Sequence, residues 1–364
     1  MSTQPPSPHT AGLQTASLQA SQPIACWVGQ GGEAIAAELA SDAPIAGERT
    51  AREARTADAP WGVRLVAIGG ERRSLVTQWA SRAAIDEIGS LRELARVPAA
   101  IRLVLGGERP GDADLEALLG GDAIVVTTAP TPATTSEAFQ LGDIRSRVRT
   151  IPLFRWSEAF RVAEPMLAEF LAEGRPTAVA IRLRHGAPDR ATAASVGHAT
   201  QAVGVGGLSS LLLDAADLAA EFAVGIESVF AMERTPVLPG EPPAMHAVAR
   251  SGDGAILSLE LIAAGGFERS VMLTGPGGTL AIGDALLERR DQGGSILERI
   301  DRTPPADAVA ATLESLRTLI RLRGGREDPG RVVTRLAIVD AARLSARTGN
   351  AESPASVEAI AARP

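Results

Sequence analysis

Lysine and tyrosine are absent from this chain: all 36 basic residues are arginine, and the tyrosine count is zero. No lysine can therefore serve as acid, base or Schiff-base amine, and no phenol can donate a proton. Arginine does not replace either, because a guanidinium with a pKa of ~12 or more stays protonated. Cysteine is nearly absent too. Cys26 is the only one, which excludes an intrachain disulfide and a thiolate metal cluster. In the apolar run PIACWV it reads as a buried thiol rather than a nucleophile. The four histidines, His9, His185, His198 and His246, show no metal-ligand spacing, so no metal is expected. No apolar run approaches the ~20 residues that span a bilayer. The net charge of −7 lacks the cationic excess that a nucleic-acid surface requires. Residues 1–23, rich in Ser, Thr, Gln and Pro, lack the basic start and apolar core of a secretion signal. They read as a disordered tail, and the chain as cytoplasmic.

The remaining composition is that of a globular protein long enough for two domains: 364 residues, 45% apolar and 22% charged. From 24 to 150, apolar strand-like runs (IACWV, GVRLVAI, AIRLVLG, DAIVVTT) alternate with helical stretches. That alternation predicts a Rossmann-like, doubly wound α/β domain with a parallel sheet covered on both faces. From 151 to 350 the order changes. VRTIPLFRW leads into a helix, SEAFRVAEPMLAEFLAEG, followed by the alternating strand TAVAIRLRHG and a second helix near 208–223. Period-two runs joined by SGDG and GPGG then predict an antiparallel meander. Two helices follow, near 307–322 and 330–347. This half reads as an α+β domain with a large, mostly antiparallel sheet, whose last helix can pack back on the first domain. Residues 351–364 read as a tail.

The order of these pieces resembles the Gfo/Idh/MocA family of nicotinamide-dependent oxidoreductases. LFRWSEAFRVAEPMLAEFLAEGRPTAVAIRL, GGLSSLLLDAADLAAEFAVGIESVFAM, LTGPGGTLAIGD and LAIVDAARLSARTG carry the resemblance, which covers about residues 24–350. It implies a nicotinamide cofactor, NAD or NADP, and a small hydroxylated substrate such as a sugar or polyol. It also implies a homodimer or homotetramer formed through the C-terminal sheet.

Gly29-Gln30-Gly31-Gly32-Glu33-Ala34 fits GxGxxA between a strand and a helix, the place where a pyrophosphate meets free helix N–H groups. Gly29, Gly31, Gly32 and Ala34 are therefore candidate cofactor contacts, although Glu33 puts a carboxylate where a phosphate prefers a neutral neighbour. The second strand ends VAIGGERR, with Gly69 and Gly70 where a ribose-binding acid is expected. Arg72 and Arg73 follow. They are either partners for a 2′-phosphate, which favours NADP, or the exposed start of a helix. The resemblance places Thr127, Thr128 and Pro130 beside the nicotinamide, with Thr134 where relatives carry a His.

Relatives also carry a Glu-Lys-Pro segment whose lysine supports proton transfer. Here the stretch after TSEAF runs almost directly into VRTIPLFRW, and the segment reads as deleted. A further family helix bears His and, three residues on, Asp; these positions hold Asp214 and Asp217. At i, i+3 spacing they share a face. They are either a general base with its neighbour, if burial raises the pKa, or part of a solvated acidic face opposite the stripe Leu211, Leu212, Ala215, Leu218, Ala219 and Phe222. His198, in a Gly/Ala/Thr-rich loop, is the histidine expected nearest the cleft. Arg155 and Trp156 are candidates for orienting a hydroxylated substrate or for closing the domain junction. Arg182 and Arg184 share one face of a strand, solvent or cleft, and His185 and His246 read as structural. Two functions follow: an atypical NAD(P)-dependent oxidoreductase using Asp214 or His198, or a non-catalytic relative with no cofactor that binds or scaffolds.

Overall fold

A computed structural model describes residues 22–41, 63–106, 109–185, 207–234, 243–263, 267–321 and 328–363. In the first domain, β1 (Gln22–Val28), β2 (Val63–Gly70), β3 (Asp86–Ile88), β4 (Ile101–Leu105), β5 (Ile124–Thr127) and β6 (Val148–Thr150) form one sheet in the order β3-β2-β1-β4-β5-β6. Every pairing in it is parallel. Alternating residues of β1 supply both faces, as a strand's period of two requires. Ile24, Cys26 and Val28 enter one core with α1 (Glu33–Ser41) and α2 (Arg73–Ala83), while Ala25 enters the other with Leu115 and Leu118 of α4 (Asp112–Leu118). Between these helices, α3 (Leu91–Leu94) follows β3. Cys26 has no exposed surface, and burial pushes its thiol well above the ordinary range.

The second sheet has the order β14-β13-β12-β11-β7-β10-β9-β8. Its strands are β7 (Ala178–Arg184), β8 (Ile226–Arg234), β9 (Ala244–Ser251), β10 (Ile256–Ile262), β11 (Glu268–Gly275), β12 (Gly278–Gly283), β13 (Leu286–Arg290) and β14 (Ile296–Asp301). Only β7 with β10 is parallel; the other pairs are antiparallel. β7 thus sits between two meanders. One face packs on α6 (Glu158–Ala172) and α7 (Leu208–Phe222) in a single apolar core. The other face is open.

The structure corrects two expectations, the place of residues 148–150 and the form of residues 351–364. Residues 148–150 are not the lead strand of the second domain; they pair in parallel with β5, Val125 opposite Val148. A helix of the second half, α8 (Ala308–Arg321), also returns to the first domain, where its Leu313, Leu316, Leu319 and Ile320 complete the core around β1 and β4. The last long helix, α9 (Pro329–Thr348), buries Val332, Leu336 and Val339 in the second core and also packs on α5 (Thr135–Gln140) of the first domain, where Asp340 accepts from the Thr135 amide and hydroxyl at 2.8 Å each. Residues 351–364 hold α10 (Pro354–Ala361), capped by Ser353 and preceded by a bridge between Glu352 and Val229. No helix among the described residues is long and apolar enough to cross a membrane.

Candidate functional site

In open α/β sheets ligands bind beyond the carboxyl ends of the parallel strands. β1, β4, β5 and β6 end together, and the sequence-predicted residues gather there. The glycine turn after β1 is tied down by the Gly29 amide donating to the Leu105 carbonyl (2.8 Å) and the Gly32 amide donating to the Gly29 carbonyl (3.1 Å). Gly31 adopts φ +87°, the left-handed region that glycine tolerates. A Cβ on Gly32 would run into the Leu105 carbonyl, so this residue lets α1 approach β4. Ala34 faces outward on α1. The turn's backbone thus has the close approach that a dinucleotide's pyrophosphate needs, although the Gly31 amide already donates to Glu33 Oε2 at 2.7 Å.

At the end of β2, a Cβ on Gly69 would collide with Ile88 and the Trp27 ring, and one on Gly70 with the Val28 carbonyl. No acidic side chain fits there without displacement. Arg72 and Arg73 are exposed, and Arg72 Nε lies 3.4 Å from Glu33 Oε1. At the end of β5, Thr127 and Thr128 are buried and their hydroxyls serve the chain: Thr127 donates to the Ala129 carbonyl (2.7 Å), and Thr128 accepts the Gly106 amide (2.7 Å). Pro130 is half-buried beside them. Thr134, in the place of the family's His, caps α5 by accepting the Glu137 amide.

The end of β6 carries no Glu-Lys-Pro segment. A short turn, Gly142–Arg147, joins α5 to β6, and the strand finishes Thr150-Ile151-Pro152. The X-X-Pro pattern is therefore present where the resemblance puts Glu-Lys-Pro, with Ile151 before the proline. Ile151 is fully buried among apolar residues of the first core, so no protonable group occupies that position.

Directly beyond it, the Phe154 amide donates to Asp214 Oδ1 at 2.7 Å. Asp214 and Asp217 are not on a solvated face. They are 1% and 0% exposed, since α7 is covered on both sides. Their environments differ sharply. Burial pushes Asp214 up to about 7, against the opposing pull of Arg269 and of the Phe154 N–H. Its Oδ2 has no hydrogen-bond partner among the described residues. Burial would also raise Asp217, but Arg155, Arg335 and Arg331 outweigh it and hold the carboxyl below the usual range. Arg155 Nε lies 2.7 Å from Asp217 Oδ2, Arg335 Nη1 3.0 Å from Oδ1, and Arg331 Nε 3.8 Å from Oδ1. The Arg155 guanidinium also stacks on Trp156, 4.4 Å from the ring centroid. Arg155, Trp156 and Asp217 are thus brought together, but Asp217 is an anchor between α7, α9 and the 154–156 turn.

Behind Asp214, buried Arg269 makes a two-pronged pair with Asp284 (2.9 and 3.0 Å) and lies over Phe154 and Phe267, 4.8 Å from each centroid. His185 stacks on Phe267 at 4.8 Å. Burial and then Arg269 depress it to about 3, so it is neutral. His198 lies outside the described residues. Arg182 and Arg184 pair with Glu260 on the open face of the sheet, away from Asp214. Among the described residues no group of three His, Cys, Asp or Glu side chains is placed to hold a metal. Sequence reasoning did not anticipate Ile151, Phe154, Arg269 or Arg335 as neighbours of the two acids. The acids themselves were visible as an i, i+3 pair, but nothing local marked what covers them.

No family model and no curated protein sequence matches this chain. Solved structures do. An oxidoreductase from Agrobacterium radiobacter, in complex with NAD+, L-tartaric acid and magnesium, aligns over 92% of this chain and 99% of its own, with 15% identity and a TM-score of 0.68. A myo-inositol dehydrogenase from Corynebacterium glutamicum aligns over 92% and 98%, with 17% identity and a TM-score of 0.63. A biliverdin reductase from Synechocystis sp. PCC 6803, in complex with biliverdin and NADP+, aligns over 88% and 98%, with 16% identity and a TM-score of 0.60. The chain shares the two-domain fold of these solved oxidoreductases, at identities of 15–17%.

Proposed function

We propose that this protein is an atypical nicotinamide-dependent oxidoreductase acting on a small hydroxylated compound, with Asp214 in the acid–base part. The observation that carries this reading is the Asp214 carboxyl. It is buried beyond the end of β6, is held by one oxygen to the Phe154 amide, and is raised to about 7, where it can hold or release a proton near neutrality. The cofactor, when bound, supplies or accepts the hydride. The chain's own residues do the rest. The glycine turn presents backbone to a pyrophosphate. Arg72 and Arg73 are cations at the ribose end, where β2 carries no acid, which favours a 2′-phosphate and hence NADP. Asp214 Oδ2 takes the hydroxyl proton as a carbinol becomes a carbonyl, and returns it in reduction. Because Asp214 is 1% exposed, substrate reaches it only when its cover moves.

The test is nicotinamide absorbance across a sugar, polyol and hydroxy-acid panel, run with wild type and Asp214→Asn. The reading predicts turnover that falls by about 100-fold or more in the variant. Turnover that survives the substitution would remove Asp214 from the chemistry. A panel silent for both proteins would favour the second reading, a non-catalytic relative that keeps the fold for binding or scaffolding. Ile151, in the lysine's place, favours that reading.

The assembly proposed is a homodimer or homotetramer through the open face of the large sheet. Phe230, Met232, Val248, Ile256 and Met272 lie there, 39–60% exposed. Large apolar side chains exposed on one sheet face support an interface there. Light scattering on a sizing column should give a dimer or tetramer that Val248→Arg converts to monomer. A wild-type monomer refutes the assembly.

A further inference from the structure

The glycine turn is answered from within the chain. The Glu33 carboxylate accepts the Gly31 amide through Oε2 at 2.7 Å, and its other oxygen lies 3.4 Å from Arg72 Nε. One side chain on the first residue of α1 therefore spans from the end of β1 to the end of β2. These are the two features that a dinucleotide's phosphates would otherwise use: a backbone N–H of the turn that leads into α1, and a guanidinium beyond the second strand. The Glu33 side chain is 23% exposed and that of Arg72 is 49% exposed. Neither is fixed by burial, and both can swing aside.

We infer that Glu33 is an internal competitor for the dinucleotide's pyrophosphate, a carboxylate latch that Arg72 helps to hold closed. The inference rests on the nucleotide-binding reading above. Binding then requires Glu33 to leave the Gly31 amide, which also releases Arg72 from the carboxylate. A carboxylate left beside a bound pyrophosphate also repels it. Both effects weaken cofactor binding in the wild type, and neither touches the backbone that shapes the turn. Glu33→Gln keeps the shape and removes the charge. Glu33→Ala removes the acceptor as well.

The experiment is calorimetric titration of the full chain with NADH and with NADPH, alongside intrinsic tryptophan fluorescence, in wild type, Glu33→Gln, Glu33→Ala and Arg72→Ala. The two Glu33 variants should bind at least about tenfold more tightly than wild type, with tenfold corresponding to about 1.4 kcal/mol. Arg72→Ala should bind NADH no more weakly than wild type, because it frees the latch; a selective loss of NADPH affinity would show the arginine's second use. Equal affinity in wild type and both Glu33 variants overturns the latch and leaves the nucleotide site standing. Absence of binding in all four proteins, with unchanged melting curves, overturns both.

Discussion

Asp214→Asn makes the protein more resistant to heat at pH 8 and leaves it almost unchanged at pH 4, because the gain follows the ionisation of the replaced carboxyl. The folded-state pKa of about 7 lies above the ordinary aspartate value of 3.8. Between those values the native chain binds a proton that the unfolded chain has released. Stability therefore falls as pH rises through that window and levels off above it. Each pH unit between the two values is worth about 1.36 kcal/mol, so the wild type gives up about 2–4 kcal/mol by pH 8 that the neutral amide does not. This is a difference of about 5 °C in melting temperature. The amide keeps the Oδ1 acceptor for the Phe154 N–H, so the comparison isolates the charge. Melting curves of both proteins from pH 4 to 8 check it. Parallel curves would mean that Asp214 is already ionised at low pH, and its proposed part in proton transfer would go with that result.

Asp217→Asn acts in the opposite direction and more severely. The carboxylate is fully buried, and Arg155, Arg331 and Arg335 converge on it from the 154–156 turn and from α9. Removing its charge takes an ionised partner from buried Arg335 and from Arg155, while Arg331 keeps its pair with Glu221, a loss of about 3–5 kcal/mol. Its folded pKa is depressed, so its stabilisation is present above the unfolded value and fades as pH falls through the folded one. The acid limb of the wild-type stability profile thus belongs to Asp217, and the limb falling toward neutrality to Asp214. Urea unfolding should show the midpoint of Asp217→Asn collapse, with partial recovery in Asp217→Asn/Arg335→Met, since Arg335 is itself 3% exposed and leaves an apolar site when truncated. An unchanged midpoint would mean that the cluster does not hold α9 to α7.

The alternation of strands and helices before residue 150 was readable because the buried strands are mostly apolar on both faces, as β4 is at every position but Arg102, which is itself buried. The strands of the large sheet were readable for the converse reason: β9 runs buried, exposed, buried along its length. β13 and β14 escaped because their pattern is broken by charge, β14 being exposed over most of its residues. β6 escaped because three residues carry no period. The two acids of α7 stayed open between two readings for a deeper reason. Helical spacing reports which residues share a face, not what lies over that face, and the cover comes from residues 60 and 118 positions away in sequence. Glu33 was flagged as awkward for a phosphate, but only the fold showed it joined to Arg72, 39 positions on by number. The same distance problem hid Ile151: without the strand that precedes it, an X-X-Pro segment could not be told from a gap.

A nicotinamide dinucleotide lying along the ends of β1, β4, β5 and β6, with its reactive end at Asp214, is the arrangement on which the proposed chemistry depends. The most direct measurement is a crystal structure of the protein grown with NADPH. Such crystals should show the pyrophosphate on the Gly29–Gly32 turn, Glu33 swung away from the Gly31 amide, and the nicotinamide ring beside Asp214. Crystals grown at saturating NADPH that hold no cofactor, or hold it with the ring remote from Asp214, would contradict that arrangement and leave the fold as a scaffold without the chemistry.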